Sequence, residues 1–154
     1  MRNILLALAI SLLVACASTY VPPTSTAPVV MSAVSASKAE ILRAAKVVLV
    51  SEGFQITNSD ESAGTISTAP RNLRVSPGQA NCGTTMGIDY LKDKRTSTRV
   101  AFGILAADGT IMVKANIEGE YKPGSVDQDI TLTCVSRGVL ERDLLAKILA
   151  MFSK

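Results

Sequence analysis

A β-hairpin is predicted by the stretch "TRVAFGILAADGTIMVKANIEGEY", residues 98–121. Its apolar side chains alternate along both sides of one turn, at Val100, Phe102, Ile104, Ile111, Val113, Ala115 and Ile117. The Asp108–Gly109 pair between them tolerates the positive φ angles of a type I′ turn, so the two strands are antiparallel. The alternation also predicts a sheet with one buried face and one face in water.

Helices are predicted at both ends of the folded region. The segment "SKAEILRAAKVVLVSEGF", residues 37–54, places Ser37 and Glu40 at the spacing of a capping box and Gly53 where the helix would end. Its apolar residues fall on one helical face, as do those of "SRGVLERDLLAKILAMF", residues 136–152. Two amphipathic helices are therefore available to cover the sheet.

Shorter strands are predicted between the first helix and the hairpin. The β-branched stretches 54–57 and 64–68 predict a second hairpin, and the alternation of 84–91 predicts one more strand. Residues 70–83, with two prolines and two glycines, are expected to form a long loop. Residues 37–154 thus predict a single α+β domain, an antiparallel sheet of about five strands with an N-terminal and a C-terminal helix packed on one face.

The N-terminus, "MRNILLALAISLLVACAS", has the layout of a secretory signal over residues 1–15. Its apolar run is shorter than the roughly 20 residues that span a bilayer. The four residues Leu13-Val14-Ala15-Cys16 resemble the bacterial lipobox at every position. The resemblance implies cleavage before Cys16 and attachment of lipid to its sulfur and freed amine, which gives a stable membrane anchor. A plain signal peptide that contains Cys16 is the alternative.

The residues after the cysteine bear on its location. Ala17 and Ser18 differ from the aspartate that retains enteric lipoproteins in the inner membrane, so the resemblance implies the outer membrane, with the domain facing the periplasm. Residues 16–36 are rich in Ser, Thr, Ala and Pro and have no charge, which predicts a flexible tether. A docked strand formed by "VVM", residues 29–31, is the alternative.

The three cysteines divide into one anchor and one pair. Cys82 and Cys134 remain once Cys16 is assigned to lipid. In an oxidising periplasm this pair favours a structural disulfide. A redox-active dithiol is the alternative, although neither cysteine lies in a C-x-x-C motif with its lowered thiolate pKa.

The composition excludes several classes of site. There is no histidine, which removes histidine-based metal sites and nucleophilic triads. Aromatic residues make up 4% of the chain and the formal net charge is +3, which argues against binding to sugars or nucleic acid. We expect no cofactor, no metal and no catalytic residue.

Carboxylate pairs are the remaining candidates for chemistry. Glu118 and Glu120 have the spacing of side chains on one strand face, as do Asp127 and Asp129. Such pairs can act as general acid and base or bind calcium, and a solvated strand edge is the alternative. An enzyme or enzyme accessory acting on envelope polymers would require Glu118, Glu120 or Asp89 in a cleft with a raised pKa.

The element order behind the lipobox, together with the phrases "SEGFQI" and "GTI", is similar to helix-grip domains such as those in the lipoprotein subunit of the β-barrel assembly machinery. The resemblance implies a noncatalytic binding, scaffold or assembly role with an envelope protein as partner, and it transfers no site residue. The contact surface would be the sheet face left free by the helices or the loop 70–84. A small-ligand or lipid carrier with a cavity between helix and sheet is a further hypothesis. The basic segment "KDKRTSTR", residues 92–99, suits either contact with anionic lipid or a plain hairpin connection.

Overall fold

The computed structural model describes residues 20–124 and 128–153, so Cys16 and Asp127 lie outside the described residues. Its helices are α1 (Lys38–Ser51) and α2 (Val139–Ala150). Its strands are β1 (Tyr20–Val21), β2 (Val30–Ala33), β3 (Ile56–Asp60), β4 (Thr65–Thr68), β5 (Arg71–Asn72), β6 (Ala80–Asn81), β7 (Thr84–Thr85), β8 (Ile88–Asp89), β9 (Thr96–Ala107), β10 (Thr110–Tyr121), β11 (Ile130–Thr133) and β12 (Val135–Ser136). No helix within the described ranges is long and apolar enough to cross a membrane.

The main sheet is built around the predicted hairpin. β9 and β10 pair antiparallel along their full length, from Thr110 opposite Ala107 to Tyr121 opposite Thr96. The seven strands have the order β11-β10-β9-β4-β3, with β2 paired to β10 and β5 paired to β9. The α+β class and the antiparallel sheet are confirmed. The sheet is larger than the expected roughly five strands because short segments outside the predicted strands add to its edges.

Helix α1 begins where the sequence predicts. The Ser37 N–H donates to the Glu40 carboxylate at 2.9 Å, and the Glu40 N–H donates to Ser37 Oγ at 3.4 Å, which is the predicted capping box. The hydrogen bonds from Ser37 lower the pKa of the Glu40 carboxyl. Gly53 follows the helix with a φ of +79°, a conformation that glycine adopts without steric cost.

The core lies against one face of β9 and β10. Their buried positions alternate as predicted, at Val100, Phe102, Ile104, Ile111, Val113, Ala115 and Ile117. α1 contacts β9, α2 contacts β10, and the two helices contact each other. The rings of Phe54 and Phe102 pack edge to face at 5.0 Å, which closes the core beyond the end of α1.

Two parts of residues 20–36 pair with the domain as strands, which differs from the flexible tether expected over 16–36. β1 pairs with β7, and β2 pairs with β10 from Thr110 to Val113. This half of β10 would otherwise present an unpaired row of backbone groups, and β2 satisfies them while burying Val30. The described part of the segment therefore matches the alternative, a docked strand.

The segment 84–91 is a short hairpin, so the prediction of one continuous strand is wrong. β7 and β8 pair with each other on either side of Met86 and Gly87, whose φ angles are 49° and 78°. Two consecutive positive φ angles are typical of a type I′ turn. A 3₁₀ helix, Tyr90–Lys92, follows directly, so the alternation of apolar residues here belongs to a turn and two short elements.

The disulfide predicted from the cysteine count is present. Cys82 and Cys134 are joined with an S–S distance of 2.00 Å. The bond connects the loop after β6 to the residue between β11 and β12, and β6 and β12 also pair with each other. The disulfide therefore fastens the region expected to be a long loop to the segment that leads into α2.

Candidate functional site

The second face of the main sheet is in contact with solvent, and we call it the open face. It is formed by Met31, Thr65, Ser67, Asn72, Ser97, Arg99, Ala101, Gly103, Leu105, Met112, Lys114, Asn116, Glu118, Glu120, Thr131 and Thr133. These positions alternate with the buried core positions along the same strands, because successive side chains of a strand point to opposite faces.

One end of the open face is apolar. Met112 pairs with Leu105 of β9 on one side and with Met31 of β2 on the other, so the three side chains form a row across three strands. Met31 is 59% exposed and Leu105 is 44% exposed. A contiguous row of large apolar side chains in water is typical of a surface that another molecule covers.

The centre of the open face is flat. Gly103 lies on β9 between Ser67 and Lys114, and a side chain added to it would meet no atom within 4 Å. Ala101 is its neighbour on the same face of the strand. A glycine inside a long strand weakens the strand, and it often marks a place where another backbone or a ligand approaches closely.

The other end of the open face is charged. The Arg99 guanidinium lies 2.9 Å from the Glu118 carboxylate, and both side chains are more than half exposed. Together with Asn72, Ser97 and Glu120 they line a shallow depression of about 340 Å³. An exposed ion pair contributes little to stability, so this pair is not explained by a structural role.

Each of the described acidic candidates forms an ion pair or a hydrogen bond with a neighbouring residue. Glu118 and Glu120 share the open face as predicted, but Glu118 is paired with Arg99, and Glu120 lies 3.5 Å from the Lys122 amine. Asp89 belongs to the separate three-stranded sheet β1-β7-β8 and accepts a hydrogen bond from the Leu91 N–H at 2.8 Å. Asp129 lies 3.8 Å from Lys122. In the described ranges no group of three potential metal ligands comes together.

Arg95 of the basic segment 92–99 makes contacts within the domain, whereas the lysines of this segment are exposed. The Arg95 guanidinium donates to the Asp93 carboxylate at 2.7 Å and stacks over the Tyr121 ring at 4.9 Å. Hydrogen bonds from Arg95 lower the pKa of Asp93 to about 2, and burial raises the pKa of Tyr121. Lys92 and Lys94 on either side of Asp93 are exposed.

The cavity between the helices and the sheet is small. Its volume is about 140 Å³, with Phe54, Phe102 and Leu144 in its lining. The Lys147 amine lies 2.6 Å from the Glu52 carboxylate, and both residues lie at this cavity as well. Cavities that enclose small ligands measure about 300–1,000 Å³, so this cavity is too small for a typical carrier site.

Comparison with known proteins gives no family for this chain. No family model matches it, and no curated protein matches it. A TBP-like protein from Parabacteroides distasonis is similar over 68% of this chain and 62% of its own, with 17% identity and a TM-score of 0.44. A DUF4468 family protein from Bacteroides ovatus is similar over 72% of this chain and 64% of its own, with 15% identity and a TM-score of 0.43. The chain spans less than two thirds of the length of either protein.

Proposed function

We propose that this chain is a lipid-anchored outer-membrane protein that binds another envelope protein through its open face, without catalysis. The anchor is the lipobox cysteine Cys16, and the domain faces the periplasm. The observation that carries the binding role is the row of Met31, Met112 and Leu105 beside the flat centre at Gly103.

We infer that α1 and α2 both cover the opposite, buried face of the sheet. The alternating burial of β9 and β10 supports this inference, as do the contacts of α1 with β9 and of α2 with β10. The open face is then an extended surface that the described residues leave available for a partner. Its cations Arg99 and Lys114 are balanced by Glu118 and Glu120, which suits a protein better than an anionic polymer.

A Cys16→Ser variant tests the anchor. The serine hydroxyl cannot replace the thiol as the acceptor of a diacylglyceryl group, so we expect the variant to leave the membrane fraction or to keep its signal uncleaved. Cell fractionation followed by mass measurement of the mature N-terminus distinguishes these results from the lipidated form. A fully processed Cys16→Ser chain that stays in the membrane fraction would contradict the anchor.

A Gly103→Arg variant tests the open face. The new side chain points into open space, so we expect stability to change by no more than about 1 kcal/mol while the flat centre is blocked. Crosslinking in intact cells, followed by purification of the lipidated chain, should recover one stoichiometric envelope protein with the wild type and lose it with Gly103→Arg.

Gly78→Arg is the matched control for this substitution, and because Gly78 lies in the loop 70–84 it also tests that loop as the alternative contact surface. Gly78 has an ordinary negative φ, lies outside the open face, and has only Ser76 Oγ near an added side chain, at 3.8 Å. It should recover the same partner as the wild type. Recovery of that partner by Gly103→Arg at the wild-type level would rule out the open face as its binding site.

A further inference from the structure

The first described residues are fixed firmly to the domain. β1 pairs with β7, and the Tyr20 ring packs edge to face on Tyr90 at 5.7 Å. The Thr133 N–H also donates a hydrogen bond to the Tyr20 hydroxyl at 3.0 Å. An added side chain on Gly83 would collide with the Val21 carbonyl oxygen, so glycine is required for this close approach. The chain is therefore held in one place at Tyr20 and Val21.

The anchor must lie close to this place. Cys16 precedes Tyr20 by four residues, and a fully extended chain advances about 3.3–3.6 Å per residue, so at most about 14 Å separate their Cα atoms. β1 is antiparallel to β7, with Tyr20 opposite Thr85. The end of β1 that leads back to Cys16 therefore lies beside the turn that follows Thr85.

That turn carries exposed apolar side chains. Met86 is 90% exposed and Ile88 is 61% exposed, and we call the Met86–Ile88 segment the apolar tip. Met86 adopts a positive φ of 49°, which a side-chain-bearing residue seldom does, and this conformation places it at the extreme of the hairpin. Lys92 and Lys94 follow within six residues of Ile88 and are exposed, which complements an anionic lipid surface.

We propose that the apolar tip inserts into the surface of the bilayer that holds the Cys16 lipid and so fixes the orientation of the domain. This inference rests on the proposed lipid anchor. The end of β1 that leads back to the anchor lies beside the tip, and the exposed Lys92 and Lys94 follow the tip closely in the chain. Burial of apolar side chains such as Met86 and Ile88 in the boundary between headgroups and acyl chains lowers the free energy of the system.

The absence of tryptophan from the sequence allows a direct test. Met86→Trp in the full lipidated chain gives a single tryptophan, which lies at the tip. The chain is reconstituted into vesicles of phosphatidylethanolamine and phosphatidylglycerol, with and without brominated acyl chains. We expect emission from the tip to shift to shorter wavelength and to be quenched by the bromines. Ile88→Trp should behave in the same way.

Met151→Trp is the matched control. Met151 is an exposed methionine that lines a surface depression with Glu40, in the first turn of α1. The N–H of Lys38, at the start of that helix, donates a hydrogen bond to Asp108. Asp108 follows the end of β9 that is far from the tip, so Met151 also lies far from the tip. Emission from Met151→Trp should be insensitive to the bromines.

Flotation of the vesicles separates the two proposals. If the chain floats with the vesicles and both tip variants are quenched, the inference holds. If it floats and the tip variants are no more quenched than Met151→Trp, the tip does not enter the bilayer while the anchor stands. If the chain does not float, the anchor fails, and the inference fails with it.

Discussion

Reduction of the Cys82–Cys134 disulfide is expected to lower the free energy of unfolding by about 4 kcal/mol. The two cysteines lie 52 residues apart in the chain, and closing a loop of this length removes conformational entropy from the unfolded state. A domain of this size has a free energy of unfolding of about 5–15 kcal/mol, so the loss is a large part of the total. The reduced domain should be marginally stable at physiological temperature.

Urea unfolding followed by circular dichroism measures this loss. The comparison is between the oxidised wild type, the reduced and alkylated wild type, and a Cys82→Ala/Cys134→Ala variant. The last two should unfold at similar, lower urea concentrations, and agreement between them separates loss of the crosslink from loss of packing around buried Cys82. Equal midpoints for the oxidised and reduced wild type would show that the bond does not constrain the unfolded chain.

Glu141→Ala is expected to lower the free energy of unfolding by about 3 kcal/mol, because it leaves two buried polar groups without an acceptor. Glu141 is 1% exposed. Its carboxylate accepts the Ala115 N–H at 3.2 Å and the Ser136 hydroxyl at 2.7 Å. Ala115 lies on β10 between the stretches that pair with β2 and with β11, so the carboxylate fills a gap in the backbone pairing of that edge.

Two further variants distinguish this role from a general effect of removing charge. Glu141→Gln keeps the shape of the side chain and an acceptor for Ala115, so a loss of about 1 kcal/mol is expected. Glu61→Ala removes a mostly exposed carboxylate that is paired with Lys46, and should change stability by no more than about 0.5 kcal/mol. If Glu141→Ala costs no more than Glu61→Ala in the same urea titration, the carboxylate does not support the strand edge.

Local signals in the sequence predicted the parts of the fold that depend on neighbouring residues. The Asp108–Gly109 pair fixes the place of its hairpin, and Ser37 with Glu40 fixes the start of α1, because each involves residues no more than a few positions apart. The turn itself is not the expected type I′, because Gly109 has a positive φ of 74° and Asp108 does not. The hairpin pattern also predicted which of its positions would face solvent, and these form the centre of the open face. Glu141 was not predicted, although a carboxylate within the apolar stripe of α2 is a signal that the group is buried and needs partners.

Long-range pairing could not be predicted in this way. Met31 joins the open face only because β2 docks on β10, about 80 residues later in the chain, and nothing near Met31 specifies that partner. The uncharged composition of 16–36 predicts a tether. It contains no information on whether the domain has an unpaired strand edge with which this segment can pair. Likewise, the alternation of Met86, Ile88 and Tyr90 cannot reveal that Met86 adopts a positive φ.

Site-specific photocrosslinking at Met112 tests the proposed binding role most directly. A photoreactive phenylalanine analogue replaces Met112 in the lipidated chain, and cells are irradiated intact. We predict one discrete adduct with an envelope protein, lost when Gly103→Arg is added and absent when the analogue replaces the exposed Met151 instead. Absence of an adduct at Met112, or the same adducts at Met112 and Met151, would contradict binding through the open face.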